Sequence, residues 1–297
     1  MDFHRLEILV HLAKHKKMTD VAEILKMKQP TISFHLKKLE EETGVVLFRR
    51  YHKNFILTEA GKALVHYAEN LLNIREEALR VMNEYKENQR GSLAVGASHV
   101  PAAYLLPRIF GEFLELYPPI QLSLKVLTAP VVLQLIEEHT LDIGMVLERE
   151  IDSRTFTSIP LYQEELVLVF HPQHRFASLP NITLEEIEKE PLILHQESST
   201  TRKMCHRWAI NNGITLQSKM ELGSAEAIKE AIDCTIGYSI LAKTAVHREV
   251  QTGRLFSREL PGIIEPYFFY LVYHPDRLDT PVFQTFLAFV QDYFRSK

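Results

Sequence analysis

The chain has 297 residues, of which 46% are hydrophobic and 24% charged. That length accommodates about two domains with cores of their own, and the composition excludes a disordered or collagen-like chain. Two cysteines, Cys205 and Cys234, are too few for a disulfide framework or a zinc site and fit a reducing compartment. No apolar run reaches the roughly 18 residues that a membrane-spanning helix needs. The opening MDFHRLEILVHLAKHKK lacks the order of a signal peptide, so a cytoplasmic protein with no membrane partner is expected. The net charge of -4 is unevenly spread: the first 60 residues carry 11 basic and 8 acidic side chains, a balance of +3, against -7 for the rest. A basic end on an acidic protein suggests a polyanionic partner.

Phe3, Leu6, Leu9, Val10 and Ala13 recur at helical spacing and predict a first helix. Thr19 is placed to cap a short second helix with Val21, Ala22 and Leu25 inward. After the turn Lys26-Met27-Lys28, Pro30 suits the first turn of a third helix whose inward stripe is Ile32, Leu36 and Leu39. This is a helix-turn-helix. The other face of the third helix carries Gln29, Thr31, Ser33, His35 and Lys38, short or flexible groups suited to phosphates and base edges in a major groove. Phe34 either packs into the domain or touches a thymine methyl.

Val45-Val46-Leu47-Phe48 and Phe55-Ile56-Leu57 flank Arg49-Arg50-Tyr51-His52-Lys53-Asn54, which reads as a hairpin with a cationic tip, a wing whose Arg49, Arg50 and Lys53 meet phosphate. Thr58 then caps a helix through residue 89, about 48 Å long at 1.5 Å per residue and apolar along one stripe. A second copy of the chain is the natural partner for it. Such a dimer sets two recognition helices on successive major grooves, roughly 34 Å apart, and predicts a dyad-symmetric site.

The string TDVAEILKMKQPTISFHLKKLEEETGVVLFRR at 19–50, followed by LTEAG at 57–61, resembles the DNA-binding region of the LysR-type transcriptional regulators. Ala22, Gln29, Pro30, Ser33, Leu39, Glu40, Gly44, Leu47, Phe48, Arg49, Thr58 and Gly61 stand at that family's characteristic positions. Phe34 departs from it, since many members carry arginine or another polar residue there. The candidate DNA-contacting set is Thr19, Lys28, Gln29, Pro30, Thr31, Ser33, His35, Lys38, Arg49, Arg50 and Lys53.

Beyond GSLAVGAS, β-prone runs at 93–95, 121–126, 142–146, 165–170, 220–222, 238–241 and 267–273 alternate with helical patterns at 104–116, 131–139, 201–211, 225–233 and 281–293. Such alternation predicts an α/β architecture with ligand loops at the carboxyl ends of strands. The segments GSLAVGAS, YLLP, LDIGMV, PLYQEELVLVFHP, TTR and ELGSAEAIKEAI resemble the family's effector domain, which is similar to periplasmic solute-binding proteins with two lobes around a cleft. The expected division is a winged helix-turn-helix domain at 1–58, a linker helix at 59–90 and an effector domain at 91–297, its first lobe at about 91–161 and 267–297 and its second at 162–266. Thr235 stands where the family commonly has glycine.

Ser98-His99, Thr128 and Ser199-Thr200-Thr201 each precede a helical pattern, and free N–H groups and hydroxyls at helix starts bind anions. They are either plain caps or the donors of a site for a small anionic effector, a carboxylate or inorganic oxyanion; Arg202 either neutralises that anion or holds a structural salt bridge. His171 and His174 have ligand-like spacing without a cysteine nearby, so no metal is expected. Cys234 reads as a small buried hydrophobe, and the acidic pairs Glu148/Glu150 and Glu164/Glu165 are read equally well as paired catalytic carboxylates or as solvated charge. GxSxG, HExxH, P-loop and GxGxxG patterns are absent, and neither catalysis nor a cofactor is expected. The resemblance implies a homotetrameric regulator of promoter DNA in which a small effector alters DNA geometry or contact with RNA polymerase. The rival reading is a solute-binding or enzymatic α/β protein whose first ninety residues only dimerise; alanine at Gln29, Ser33 and Arg50 would leave its activity intact.

Overall fold

A computed structural model describes residues 1–51, 54–86, 91–277 and 280–295, with the backbone alone at 50, 51, 80 and 83–86. It divides into two compact units. The first unit contains α1 (Phe3–His15), α2 (Met18–Ile24), α3 (Gln29–Thr43), β1 (Phe48–Tyr51), β2 (Asn54–Leu57) and α4 (Glu59–Lys86). Asp2 caps α1 by accepting the Arg5 N–H at 2.9 Å. Thr19 does not cap α2: the helix starts one residue earlier, at Met18, which packs on the core, and the Thr19 hydroxyl donates to Asp20 at 2.8 Å. Leu6, Leu9 and Leu12 of α1 pack with Val21 and with Ile32, Leu36 and Leu39 of α3, so the apolar periodicity does set the core of this unit.

The strands of the hairpin begin at Phe48, later than the apolar run Val45 to Phe48 suggests. Gly44 ends α3 in a left-handed conformation, and the Glu40 carboxylate accepts the Leu47 N–H at 2.8 Å, which keeps the connector out of the strand. Arg49 and Arg50 therefore pair with Ile56 and Phe55 along β1 rather than sitting at a tip, and Lys53 lies outside the described residues. The Thr58 hydroxyl accepts the Gly61 N–H at 3.0 Å and donates to the Val46 carbonyl at 2.7 Å, capping α4 and tying it to the connector. A Cβ on Gly61 would lie 2.0 Å from the Leu47 carbonyl oxygen, so glycine is required there.

The second unit runs β3 (Ser92–Ala97), α5 (His99–Tyr104), α6 (Leu106–Leu116), β4 (Gln121–Val126), α7 (Ala129–Glu137), β5 (Ile143–Glu148), β6 (Thr157–Glu164), β7 (Leu166–Phe170), α8 (Leu184–Glu188), β8 (Leu192–His195), α9 (Thr200–Asn211), β9 (Ser218–Leu222), α10 (Ala225–Asp233), β10 (Tyr238–Ala242), α11 (Lys243–Gln251), β11 (Phe256–Glu259), β12 (Tyr267–Tyr273) and α12 (Pro281–Arg295). These strands form two five-stranded sheets, ordered β4-β3-β5-β12-β6 and β11-β7-β10-β8-β9. In the first, β4, β3 and β5 are parallel, and β12 runs antiparallel to both β5 and β6. In the second, β8 is parallel to β9 and β10, while β7 is antiparallel to β10 and β11.

Each sheet is covered on both faces. Phe113, Phe283 and Phe286 pack on one side of the first sheet, and Val132 and Ile136 on the other. Trp208, Phe176 and Tyr238 cover one side of the second, with Ile228, Ile232 and Val246 opposite. The chain crosses between lobes after Glu164, a few residues beyond Leu161, and returns before Tyr267. At the crossing the buried Glu164 carboxylate accepts the N–H groups of Glu165 at 2.9 Å and Thr244 at 3.3 Å, and burial pushes it above the ordinary carboxylate range. Glu164 is thus a structural group rather than solvated charge: it satisfies the start of α11.

Candidate functional site

In the first unit, the exposed residues in the amino-terminal half of α3 are Gln29, Pro30, Thr31, Ser33 and Phe34, with Lys28 just before them. Pro30 occupies the first turn, where it has no N–H to leave unpaired, the Thr31 N–H donates to the Lys28 carbonyl at 2.9 Å, and no side chain caps the end, so the side chains of Gln29, Thr31 and Ser33 remain free to face outward. Phe34 is 57% exposed and stays out of the core, because its neighbours Ile32, Leu36 and Leu39 take the inward positions. Half-buried His35 instead turns its ring edge-on to His4 of α1 at 5.1 Å. Lys38 is held by Glu41 at 2.7 Å, while Thr19 and Arg49 are exposed. The side chains of Arg50 and Lys53 lie outside the described residues.

In the second unit a cleft opens between the lobes. A small cavity of about 20 Å³ is lined by Ser98, His99, Thr128, Ser199, Thr200 and Thr201 together with Val100, Ala129 and Leu147. A larger one of about 170 Å³ shares His99, Thr128, Ser199 and Thr201 and adds Tyr104, Val126, His195, Gln196 and Glu226. The lining comes from segments at the carboxyl ends of β3, β4, β8 and β9, as the strand-end rule expects. The Ser98 hydroxyl already accepts the Leu147 N–H at 3.2 Å. By contrast, the Thr201 hydroxyl makes no hydrogen bond among the described residues although the residue is 2% exposed.

Arg202 follows these hydroxyls in sequence but turns away from the cleft. Its guanidinium donates to the His195 carbonyl at 2.9 Å, to Glu221 at 2.8 Å and to His206 at 2.6 Å, all within its own lobe. Of the two readings of Arg202, the structural salt bridge is the one that forms. Among the described lining residues there is no lysine or arginine, so any anion here is held without either.

Tyr104, His195 and Glu226 were not among the groups the sequence pointed to. Tyr104 on α5 belongs to the first lobe, and its hydroxyl donates to Glu226 on α10 of the second at 2.5 Å. Beneath its ring, 5.0 Å from the centroid, lies the Lys229 ammonium, buried and bound to Glu249 at 2.9 Å and to the Ala245 carbonyl at 3.1 Å. Burial alone raises the Glu226 carboxyl, but the Tyr104 hydroxyl, the α10 backbone, Lys229 and His195 outweigh it and hold the group below the ordinary range. Burial, with help from His99 and Arg202, pushes His195 down to about 4 against the pull of Glu226, so the imidazole is neutral near pH 7. The available signals were weak: His195 closes the run LILH at a strand end, and Glu226 stands in the first turn after a serine cap.

The remaining polar groups have structural work. His171 and His174 accept the N–H groups of Gln173 and Phe176, each at 3.2 Å, and thereby shape a turn. Cys234 is not the small buried hydrophobe its surroundings suggest: it is exposed just past α10, whereas Cys205 is buried, its thiol pushed up to about 12 by burial. Ile228 and Ile232 take the inward face of α10, which leaves Cys234 outside.

Two family models match the chain. Residues 3–62 match the bacterial regulatory helix-turn-helix protein, lysR family, and residues 86–295 match the LysR substrate binding domain. A probable RuBisCO transcriptional regulator of Thalassiosira pseudonana is 32% identical over 259 residues, covering 83% of each chain. Full-length CbnR in complex with its target DNA superposes with a TM-score of 0.73 at 19% identity, covering 98% of this chain and 99% of that one. The regulatory domain of CcmR from Synechocystis PCC6803, in complex with 2-PG, superposes with a TM-score of 0.62 at 24% identity over 69% of this chain and 97% of its own.

Proposed function

The chain belongs to the LysR family of transcriptional regulators, and from that membership we propose that it reads a dyad-symmetric promoter site as a dimer of dimers under control of a small anionic effector. In this reading 1–58 is the DNA-binding domain, 59–90 the dimerising linker and 91–297 the effector domain of a cytoplasmic protein. Gln29, Thr31 and Ser33 face base edges; Lys28, Lys38, Arg49, Arg50 and Lys53 meet phosphate, and Thr19, Pro30 and His35 set the approach. The observation that carries it is the uncapped, solvent-facing amino end of α3, whose opposite stripe is buried. Ser98, His99, Thr128, Ser199, Thr200 and Thr201 line the cleft of this domain, and the CcmR regulatory domain, which shares the fold, is in complex with 2-PG, which supports a small-molecule effector for this domain. Effector binding favours one quaternary arrangement and so changes DNA geometry or contact with RNA polymerase, with a coupling typically worth about 1 to 3 kcal/mol.

Fluorescence anisotropy on DNA from upstream of the protein's own gene, against a scrambled duplex across a salt series, tests the reading. Preference for the upstream duplex should persist as salt rises, and Gln29→Ala should cost about 1 to 3 kcal/mol of that preference. Lys28→Ala should weaken both duplexes alike and lower the salt slope by about one. Equal binding to both duplexes that vanishes with salt, together with no effect of Gln29→Ala, would sink the proposal.

A further inference from the structure

The cleft is chemically asymmetric. The small cavity offers hydroxyls and no acidic side chain, whereas the larger one ends on Glu226 and His195. His195 is 8% exposed, and its imidazole makes no hydrogen bond among the described residues although it lines the cavity. A neutral imidazole has one N–H to give and one lone pair to receive, and neither is engaged by a hydrogen-bond partner among the described residues. Glu226 is the one carboxylate in the lining; it accepts the Tyr104 hydroxyl and retains lone pairs for a second donor. An anionic group placed beside it meets like-charge repulsion, with no lysine or arginine in the lining to offset it.

Resting on the cleft reading above, we propose that Glu226 and His195 are the specificity-determining end of the cleft, selecting a small acid that also carries a hydroxyl or amino group. The ligand's anionic group lies among the Thr128, Ser199 and Thr201 hydroxyls. Its hydroxyl or amino group donates to Glu226, and a hydroxyl also pairs with His195. A bare anion satisfies the first end only and leaves the second unmatched. Because Tyr104 of one lobe and Glu226 of the other meet at that end, the donor also joins the contact that bridges the lobes.

Isothermal titration of the full-length protein with two matched pairs decides the matter: glycerol 3-phosphate against propyl phosphate, and glycerate against propionate. In the wild type the donor-bearing member of a pair should bind about tenfold more tightly or better, the scale of one charge-assisted hydrogen bond. Glu226→Leu should shrink that preference to within about threefold while leaving the donor-free member bound as well as before or better, a gain that mere loss of structure does not produce. Glu226→Gln, which keeps the shape and an acceptor, should fall between. Equal affinities within each pair, or an unchanged preference in Glu226→Leu, overturn this inference and leave the cleft reading standing. No heat with any of the four compounds overturns both.

Discussion

Thr235 holds a left-handed backbone, φ 59°, just past the end of α10, where its N–H closes onto the Ile232 carbonyl at 2.8 Å. A β-branched residue is poorly suited to that region, at a cost of roughly 1 to 2 kcal/mol, and glycine recovers part of it after its own entropic loss. Thr235→Gly should therefore stabilise the protein by about 0.5 to 1 kcal/mol, seen as a rise of a few degrees in melting temperature; an unchanged or lower value refutes the strain. Glycine two residues on has a different reason: a Cβ on Gly237 would lie 2.1 Å from the Pro191 carbonyl oxygen. His195 makes a pH prediction with a definite sign. Its folded value of about 4 lies below the ordinary value near 6.5, so the unfolded chain takes up a proton first as pH falls. Its contribution is complete above pH 6.5 and is lost between 6.5 and 4, on the order of 3 kcal/mol in all. Urea unfolding at pH 5 and 7 should show a smaller difference for His195→Gln than for the wild type; identical differences would refute the depressed value.

The helix α4 shows how one element serves two surfaces. Leu64, Ala68 and Leu72 pack on the core of the first unit, while Tyr67, Leu71, Ile74, Leu79 and Met82 remain between 41% and 64% exposed. On the dimer reading proposed above, this row is the face that a second copy of the same helix covers in a self-complementary contact. Leu71→Asp combined with Ile74→Asp should lower the mass found by light scattering and abolish tight operator binding while circular dichroism stays helical. An unchanged mass would show that this face is not the dimer contact. Elements that the sequence left unread have particular causes. Pro160 interrupts the pattern of β6, yet β6 is an edge strand, where a missing N–H costs no ladder bond. LILH in β8 is buried at all four positions, so it lacks alternation, and α11 buries only Ala245 and Val246, too few for a helical period to register.

At the scale of the whole molecule the chain visits its first lobe, crosses at Glu164 and returns before Tyr267, and the cleft exists because both crossings leave the sheets' carboxyl ends facing one space. Residues 122 positions apart, Tyr104 and Glu226, meet there at 2.5 Å. By itself the sequence determined the helix-turn-helix with its buried stripe, the Thr58 cap, the α/β alternation and the hydroxyl-bearing segments at strand ends. All of these follow from interactions within a turn or two of chain, where spacing and capping chemistry act directly. Only the tertiary structure decided that Arg202 spends its donors on His195, Glu221 and His206, that Phe34 faces water, that Cys205 rather than Cys234 is buried, and that His195 and Glu226 close the cleft. Those outcomes depend on which of several similar polar or apolar groups the register of distant strands brings into reach, and no local pattern carries that distance.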